Sequence, residues 1–208
     1  METIKIGDQV WSIDNSIIKK FSNGEDIHHC TSKEDWEECG LIEKPAWCYY
    51  DFDEKNEKYG LLYNGYVFID PMWEGQERRE ISENGFRVAD FVDWNQLDEF
   101  IGGKDNVDHL KSTEGWEKVG TDDNDNEIKT PLKYDDKHGF NCLPSGWVND
   151  KGDFYQLGSI SKFWTCTDDD TGKLWARIIG FKFISTAVKP ENGYSIRLIK
   201  TNNKLLKL

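Results

Sequence analysis

The apolar residues of this chain occur in short alternating runs that end at glycine or at a polar turn. These frequent interruptions limit the fold to short strands and helices. The segment IKIGDQVW contains two such runs around Gly7 and Asp8, which is the pattern of a β-hairpin. Near the C-terminus, LWARIIGFKFI and YSIRLIK flank a turn at residues 189–193 and predict an antiparallel pair of strands. The chain is therefore expected to form many short strands.

Two segments have the spacing and the end signals of helices. In SKEDWEECG, Ser32 is placed to cap the N-terminus and Gly40 to end the helix. The second helix begins after Asp90, carries Asp93 at its third position and stops at residues 102–103, both glycine. Its apolar face is formed by Phe91, Trp94, Leu97 and Ile101.

The length and the organisation of the chain favour one domain. At 208 residues it is long enough to bury a substantial core, no internal repeat is evident, and no linker divides it. The second half is loop-rich, with aromatic segments interrupted by glycine. We predict a single α+β domain over residues 1–208, with short antiparallel strands, few helices and long loops.

The charge and the apolar pattern limit the partners. The formal net charge is −13, and the acidic residues are spread along the chain. Nucleic acid is not an expected partner, because phosphate binding needs a basic patch and none is visible. The opening METIKIGDQVW lacks the pattern of a signal peptide, and no apolar stretch approaches the ~20 residues that span a bilayer. We expect that the protein does not insert into a membrane and that it is made in the cytoplasm. It would be extracellular if a signal was trimmed.

The spacing of cysteine and histidine gives no metal motif. The five cysteines are Cys30, Cys39, Cys48, Cys142 and Cys166, and they form no C-x-x-C pair. The four histidines are His28, His29, His109 and His138, and no two of them stand at i, i+4 spacing. We predict thiols in a reducing compartment, with no metal site and no disulfide.

Potential nucleophiles lack the surroundings that catalysis requires. Ser145, in LPSGW, follows a proline and lacks the first glycine of a nucleophile elbow, so a turn is predicted there. Cys142 and Cys166 would need a histidine brought close, and nothing local positions His138, the nearest to Cys142. No catalytic residue is predicted, and we expect that the protein is not an enzyme.

Two acidic loops match cation sites only in part. Residues 122–127, DDNDNE, lack the central glycine and the terminal glutamate of a calcium loop. Residues 167–172, TDDDTG, are predicted as a turn between strands. Calcium therefore has no supporting motif, and no cofactor is predicted.

Several blocks occur in an order that identifies a family. They include IKIGDQVW, PAWCYYDFDEKNEKYGLLYNGY, DFVDWNQLDEFIGG, GFNCLPSGWVNDKGDFYQLG and GYSIRLIK. In their order and spacing the chain resembles the Fibrobacter succinogenes major paralogous domain, a bacterial family related to the C-type lectin-like fold. The family's versions of three blocks are K-I-G-x-Q-x-W, A-Y-C-Y-Y and G-F-S-V-R-C-V-R. The resemblance covers almost the whole chain and implies a C-type-lectin-like domain.

The resemblance implies a non-catalytic binding or adhesion module. Such a module would display loops to a carbohydrate or protein ligand on a bacterial or phage surface. Two alternatives stay open: a structural virion protein, such as a fibre or decoration protein, and a diverged enzyme of the formylglycine-generating type. The virion alternative implies a homo-oligomer or assembly into a particle. The enzyme alternative would require a paired reactive thiol and copper dependence.

The resemblance also marks two positions at which this chain lacks family cysteines. Ser82 begins the block usually written C-P-x-G-W-H-V-P, and Leu198 replaces the cysteine of the last strand. If those cysteines pair in the family, this chain has lost both halves of a bridge, which agrees with a reducing compartment. In the same comparison Cys142 and Cys166 stand where relatives carry small residues, so both are expected to be mostly buried. Trp164 is expected in the core.

The candidate ligand-binding residues combine aromatic rings with polar loops. Trp175 and Arg177 alternate along one strand and are expected to share a face. The turn before this strand and the arm predicted to face it add Asp168, Asp169, Asp170, Asn192 and Tyr194. A second polar loop adds Asn149, Asp150 and Tyr155. The alternative is that Trp175 is simply buried.

Overall fold

The structure, a computed structural model, describes residues 1–69, 80–122, 124–181 and 183–201. These residues form mixed α and β structure with sixteen short strands, two α-helices and four 3-10 helices. The strands are β1 (Thr3–Ile6), β2 (Gln9–Ser12), β3 (His28–His29), β4 (Ala46–Cys48), β5 (Leu62–Asn64), β6 (Ser82–Glu83), β7 (Phe86–Val88), β8 (Glu117–Thr121), β9 (Glu127–Pro131), β10 (Ser145–Val148), β11 (Phe154–Leu157), β12 (Ser161–Asp168), β13 (Leu174–Ile179), β14 (Phe183–Val188), β15 (Gly193–Tyr194) and β16 (Leu198–Lys200). The helices are α1 (Lys33–Leu41) and α2 (Phe91–Phe100), and the 3-10 helices cover Tyr50–Phe52, Glu54–Tyr59, Gly65–Val67 and Lys104–Leu110. In this part of the chain, no helix combines the length and the apolar character needed to cross a bilayer.

The first and last strands lie in one antiparallel sheet. Its strand order is β1-β2-β16-β7-β6. β1 and β2 form the hairpin predicted around Gly7, with Thr3 opposite Ser12. β16 pairs with β2 on one side and with β7 on the other. The last strand therefore joins the first hairpin of the chain to the hairpin that precedes α2.

A second sheet contains most of the remaining strands. Its order is β14-β13-β12-β10-β15-β5-β4-β3, and β11 pairs with β10 beside this path. The packing is close at Gly193 in β15, where a Cβ atom would clash with the Val148 side chain and lie 2.7 Å from the Trp36 ring. A side chain at this position would therefore force apart the elements that meet there, which explains the glycine. β8 and β9 form a separate hairpin.

Both predicted helices are confirmed. At the start of α1, the Ser32 hydroxyl accepts a hydrogen bond from the Asp35 amide at 3.2 Å. The helix continues one residue past Gly40 and ends at Leu41. The local signals therefore placed this helix correctly to within one residue at its C-terminal end.

The start of α2 is a reciprocal capping box. The Asp90 carboxylate accepts hydrogen bonds from the Val92 and Asp93 amides at 2.8 and 2.9 Å. The Asp93 carboxylate accepts one from the Asp90 amide at 2.8 Å. These bonds satisfy amide donors that have no partner within the helix. Arg87 adds a two-pronged ion pair to Asp93, at 2.6 and 3.1 Å, which ties β7 to the helix.

The predicted pairing of the two C-terminal runs is wrong. The run LWARIIGFKFI is not one strand, because it turns after Ile179 and its halves pair with each other as β13 and β14. β13 also pairs with β12, so both of its edges are occupied by strands other than YSIRLIK. YSIRLIK contributes to β15 and β16, which lie in different sheets. Gly180 within the first run was the signal for this turn, and Lys182 of that run lies outside the described residues.

Tryptophan rings fill much of the core. The most deeply buried are Trp11, Trp36, Trp94, Trp116 and Trp164, so the core position expected for Trp164 is confirmed. Trp94, on the inner face of α2, lies 5.0 Å from the Trp11 ring of the first sheet. The same ring lies 5.1 Å from Phe163 of the second sheet. One helix residue therefore packs against both sheets.

A buried arginine joins segments that are distant in the sequence. Arg197 is fully buried, and its guanidinium lies 4.3 Å from the centroid of the Phe140 ring. It donates hydrogen bonds to the carbonyl oxygens of Ser12 (2.9 Å), Ile13 and Phe140 (2.7 Å) and to Oδ1 of Asn15 (3.0 Å). Burial lowers the pKa of Arg197 to about 10, so the side chain remains charged at neutral pH.

The two positions of the missing family cysteines are not adjacent in this fold. Ser82 lies in β6 opposite Arg87, whereas Leu198 lies in β16 opposite Val88. β7 runs between them, which separates their Cα atoms by about two strand spacings, or ~9.6 Å. A disulfide requires Cα atoms within about 7 Å. The structure therefore gives no support to a lost bridge between these positions.

We expect that Asp90→Ala lowers the free energy of unfolding by about 1 kcal/mol, because it removes the side chain that caps α2. Urea denaturation followed by circular dichroism measures this change. Glu99→Ala is the matched control, since Glu99 lies on the exposed face of the same helix. Equal effects of the two substitutions would contradict a stabilising role for the cap.

Candidate functional site

Trp175 and Arg177 lie on the same face of β13, as predicted, but α2 covers this face of the strand. The Trp175 ring is 5.3 Å from the ring of Phe91, the first residue of α2. Arg177 is 2% exposed, and its guanidinium donates to Oδ1 of Asn95 at 2.6 Å. Burial lowers the pKa of Arg177 to about 10. Contrary to the prediction, Arg177 is not at a surface where a ligand could reach it, and Trp175 is partly buried against the helix.

Tyr194 is also inside the domain. It is 2% exposed, its ring lies 4.5 Å from Trp164, and burial raises the pKa of its hydroxyl. Tyr194 lies in β15 opposite Tyr63 of β5, whereas the sequence predicted that its strand would pair with the run that contains Trp175. Asn192 lies in the preceding turn, where its side chain donates to the Lys189 carbonyl at 3.2 Å. The structure therefore does not assemble the predicted patch around β13.

The acidic turn before β13 is closed by its own hydrogen bonds. Oδ1 of Asp169 accepts from the Thr171 hydroxyl and from the Thr171 and Lys173 amides, at 2.7, 3.0 and 3.1 Å. The bond from the Thr171 hydroxyl is the main reason why the pKa of Asp169 lies below its usual range. Oδ1 of Asp168 accepts from the Asp170 amide at 3.0 Å. The predicted turn is confirmed, and these carboxylates bind its backbone.

The second acidic loop is the turn of an exposed hairpin. It joins β8 to β9, and Asp123 lies outside the described residues. Oδ1 of Asp122 accepts hydrogen bonds from the Asn124 and Asn126 amides at 2.8 and 2.9 Å. The predicted solvent-exposed loop is confirmed for the residues described.

Asn149 shapes the loop between β10 and β11. Its side-chain oxygen accepts from the Asp153 amide at 2.8 Å, and its carbonyl accepts from the Trp36 indole of α1 at 2.8 Å. An ion pair joins Lys33 of α1 to Asp153. Asp150 is exposed at the tip. The loop predicted as a binding rim is therefore attached to α1 at two points.

The strongest candidate surface crosses three neighbouring strands. Trp147 of β10 lies opposite Tyr155 of β11, and their rings stack with centroids 4.9 Å apart and planes 27° apart. From β12, on the other side of β10, Lys162 places its ammonium 3.4 Å from the centroid of the Trp147 ring. Tyr155 is 40% exposed, and Trp147 and Lys162 are half-buried. We call Tyr155, Trp147 and Lys162 the aromatic row.

Polar side chains hold the aromatic row at its edges. The Trp147 indole donates to Oε1 of Gln156 at 3.0 Å, and the Asn149 amide donates to the Tyr155 hydroxyl at 3.4 Å. Gln156 is exposed beside the rings. On the opposite side of β11, Phe154 packs 4.9 Å from Tyr50 and anchors the strand to the domain. Rings, amides and a hydroxyl are thus fixed together at one surface.

Two effects act on the Lys162 ammonium in opposite directions. Burial lowers the pKa of Lys162 to about 8, because the charged form loses hydration. The ring faces of Trp147 and Tyr194, at 3.4 and 5.2 Å, attract the cation and favour its charged form. At neutral pH the aromatic row therefore carries a positive charge on a protein whose formal net charge is −13.

The candidate nucleophiles occupy contrasting sites. Ser145 lies in a buried chain of hydroxyls, with its Oγ 3.1 Å from that of Ser161 and 3.0 Å from that of Ser195. Cys142 is buried as expected, and burial raises the pKa of its thiol to about 12. The expectation that Cys166 is buried is wrong, because it is exposed. It has a φ of 45° at a point where the pairing of β12 with β13 shifts register, and such irregularities re-aim side chains.

An open groove of about 760 Å³ lies beside the segment that follows β2. Two of its polar lining residues already have partners within the fold. Ser16 Oγ lies 3.1 Å from the Tyr63 hydroxyl, and Asn15 accepts from Arg197. This groove is therefore a weaker candidate than the aromatic row.

The comparison with known families agrees with the order of the sequence blocks. The profile of the Fibrobacter succinogenes major domain matches residues 4–200, so the chain belongs to this family and the resemblance drawn from the sequence is confirmed. No curated protein and no solved structure matches the chain significantly.

Sequence reasoning found Tyr155 and missed its neighbours. Trp147, Gln156 and Lys162 were not among the predicted site residues, although WVNDKGDFYQ contains a signal for them. Its central turn residues, 149–153, place Trp147 opposite Tyr155 once the flanking runs pair as a hairpin. The contribution of Lys162 had no such signal, because it comes from a strand in parallel contact with β10.

We expect the free energy of unfolding to rise, relative to that of Lys162→Met, as the pH is raised from about 8 towards the ordinary lysine pKa of 10.5. The folded-state pKa is depressed, so in this window the unfolded chain binds more protons and a higher pH favours folding. Urea denaturation across the window measures the difference. Lys118→Met removes an exposed lysine and is the control: relative to this variant, the free energy of unfolding of the wild type should not rise with pH in this window. A difference between the wild type and Lys162→Met that stays constant with pH would show that the pKa of Lys162 is not depressed.

Proposed function

We propose that the protein is a non-catalytic module that binds carbohydrate through the aromatic row. The observation that carries this proposal is the stacked pair of Tyr155 and Trp147, which is held at the surface although most tryptophans described are buried. Apolar faces of sugar rings pack on aromatic faces, while amide and hydroxyl groups nearby bind sugar hydroxyls and fix orientation. Gln156 and Asn149 supply amides beside the rings.

The charge of the surface favours one kind of carbohydrate. The Lys162 ammonium is stacked on the Trp147 ring, within the same row. A neutral sugar, or one with a single acidic group near Lys162, suits this arrangement. A densely sulfated or phosphorylated polymer does not, because a net charge of −13 repels polyanions.

Family membership supports the type of domain proposed. We propose that the α+β fold is a variant of the C-type lectin-like fold and that the module serves adhesion at a bacterial or phage surface. Its binding is expected to be independent of calcium, because the aromatic row offers two rings and an ammonium group, and Gln156 and Asn149 beside it offer amides. This distinguishes the proposed mode from that of calcium-dependent lectins.

The test is a glycan-array screen of the purified protein, with calcium and again with a chelator. We expect binding that is unchanged by the chelator. For the best glycan, Trp147→Ala and Tyr155→Ala should each weaken affinity about tenfold or more, as expected for a central aromatic contact. Phe181→Ala is the matched control, since Phe181 is an aromatic residue that is 95% exposed on another hairpin, and it should leave the affinity unchanged.

Three outcomes would contradict the proposal. Binding that disappears with the chelator would point to a calcium site in an acidic loop. Equal losses with Phe181→Ala would show that the aromatic row is not the binding surface. If no glycan on the array binds, the result would favour a protein ligand or a structural role in a particle.

A further inference from the structure

Four side chains with metal-binding atoms meet at the N-terminal half of the domain. They are His28, Cys30, Asp35 and Cys39, and one ligand atom from each lies within 4.8 Å of the others. The two thiols are buried, and the side chains of His28 and Asp35 are 33% and 30% exposed. We call these four residues the thiol cluster. It is separate from the aromatic row and plays no part in the proposed carbohydrate binding.

Two different periodicities bring the thiol cluster together. His28 and Cys30 are two residues apart at β3, so an extended backbone directs both side chains to one side. Asp35 and Cys39 are four residues apart on α1, which places them on one helical face. The chain turns between the two pairs at Ser32, the N-cap of α1. The cluster therefore joins a strand end to a helix face.

The distances suit a tetrahedral cation. The Cys30 and Cys39 sulfur atoms are 3.6 Å apart. Zinc–sulfur bonds of about 2.3 Å at a tetrahedral angle require a sulfur–sulfur separation of about 3.8 Å. The sulfurs are therefore already at nearly the right spacing, with no rearrangement of strand or helix.

The remaining two ligands complete the set. Nε2 of His28 lies 2.8 Å from Oδ1 of Asp35, which in turn is 4.0 Å from the Cys39 sulfur. A cation entering between them would replace the hydrogen bond that now joins the imidazole and the carboxylate. The Thr31 amide donates to Oδ2 of Asp35 at 3.2 Å and would keep the carboxylate oriented. Three negative charges, from two thiolates and one carboxylate, then surround a divalent ion.

We propose that His28, Cys30, Asp35 and Cys39 form a binding site for zinc or a similar thiophilic divalent cation. Mixed nitrogen and sulfur ligands select such ions over calcium and magnesium, which prefer oxygen. Four protein ligands leave no open position, so the ion serves the structure and ties β3 to α1. The sequence expectation of no metal site followed from looking for C-x-x-C and paired histidines, and this set uses neither.

The test is titration of Co²⁺ into reduced, metal-free protein without oxygen. We expect one equivalent to produce a thiolate-to-cobalt charge-transfer band and the strong visible bands of tetrahedral cobalt, and added zinc to abolish both. Zinc should also raise the thermal unfolding midpoint. Cys39→Ala and His28→Ala should each weaken cobalt affinity at least about tenfold. Even the loss of a residue that only hydrogen-bonds to a metal ligand weakens metal affinity about tenfold to a hundredfold.

Matched controls separate the cluster from other thiols and imidazoles. Cys142→Ala removes a buried thiol from another part of the core, and both cobalt binding and its spectrum should be unchanged. His29→Ala removes the adjacent histidine, whose ring stacks on Trp47 at 3.8 Å, and should also bind cobalt normally. If Cys39→Ala fails to fold, His28→Ala and Asp35→Asn, at partly exposed positions, still report on the ligand set.

Two results would overturn the proposal. The first is the absence of a thiolate-to-cobalt band in protein whose thiols are shown to be reduced. The second is cobalt binding that His28→Ala and Asp35→Asn leave unchanged, which would place the metal elsewhere. Because two neighbouring thiols can be oxidised to a disulfide, thiol titration before and after the cobalt experiment is part of the test.

Discussion

The position of the last strand depends on the buried cation of Arg197. A charged group is costly inside a protein, and here the cost is offset by backbone carbonyls and one side-chain amide. Those carbonyls belong to the end of β2 and to residue Phe140, which are more than a hundred positions apart in the sequence. Because Arg197 itself leads into β16, one side chain sets the last strand against both segments. Replacement by a shorter residue would leave several buried carbonyls without a donor.

The parts of the fold that sequence predicted are those encoded locally. The hairpin at Gly7 and the two capped helices need only neighbouring residues, and the structure has all three. The pairing of distant strands could not be predicted in the same way. An alternating run such as YSIRLIK fits any sheet edge, and its pairing depends on contacts with distant residues, such as the bonds of Arg197 to Ser12 and Phe140 and the close packing of the preceding Gly193 against Val148 and Trp36.

The candidate sites show the same division between local and distant information. Tyr155 was found because it follows a polar loop, and Asn149 because it lies within one. The alternation of Trp175 and Arg177 along one strand predicts a shared face but not whether that face is exposed, and α2 covers Arg177, whose hydrogen bond Asn95 accepts. The thiol cluster was missed because its two halves follow different periodicities, and neither half is a motif by itself.

The attachment of α1 to the loop between β10 and β11 has a consequence for the proposed binding. The indole of Trp36 donates to the Asn149 carbonyl, and Lys33 pairs with Asp153, so both ends of the turn are held. The hairpin that carries Tyr155 is consequently ordered before any ligand arrives. In the proposed mode of carbohydrate binding, association would then cost little conformational entropy on the protein side, so most of the contact energy at the rings would remain as affinity.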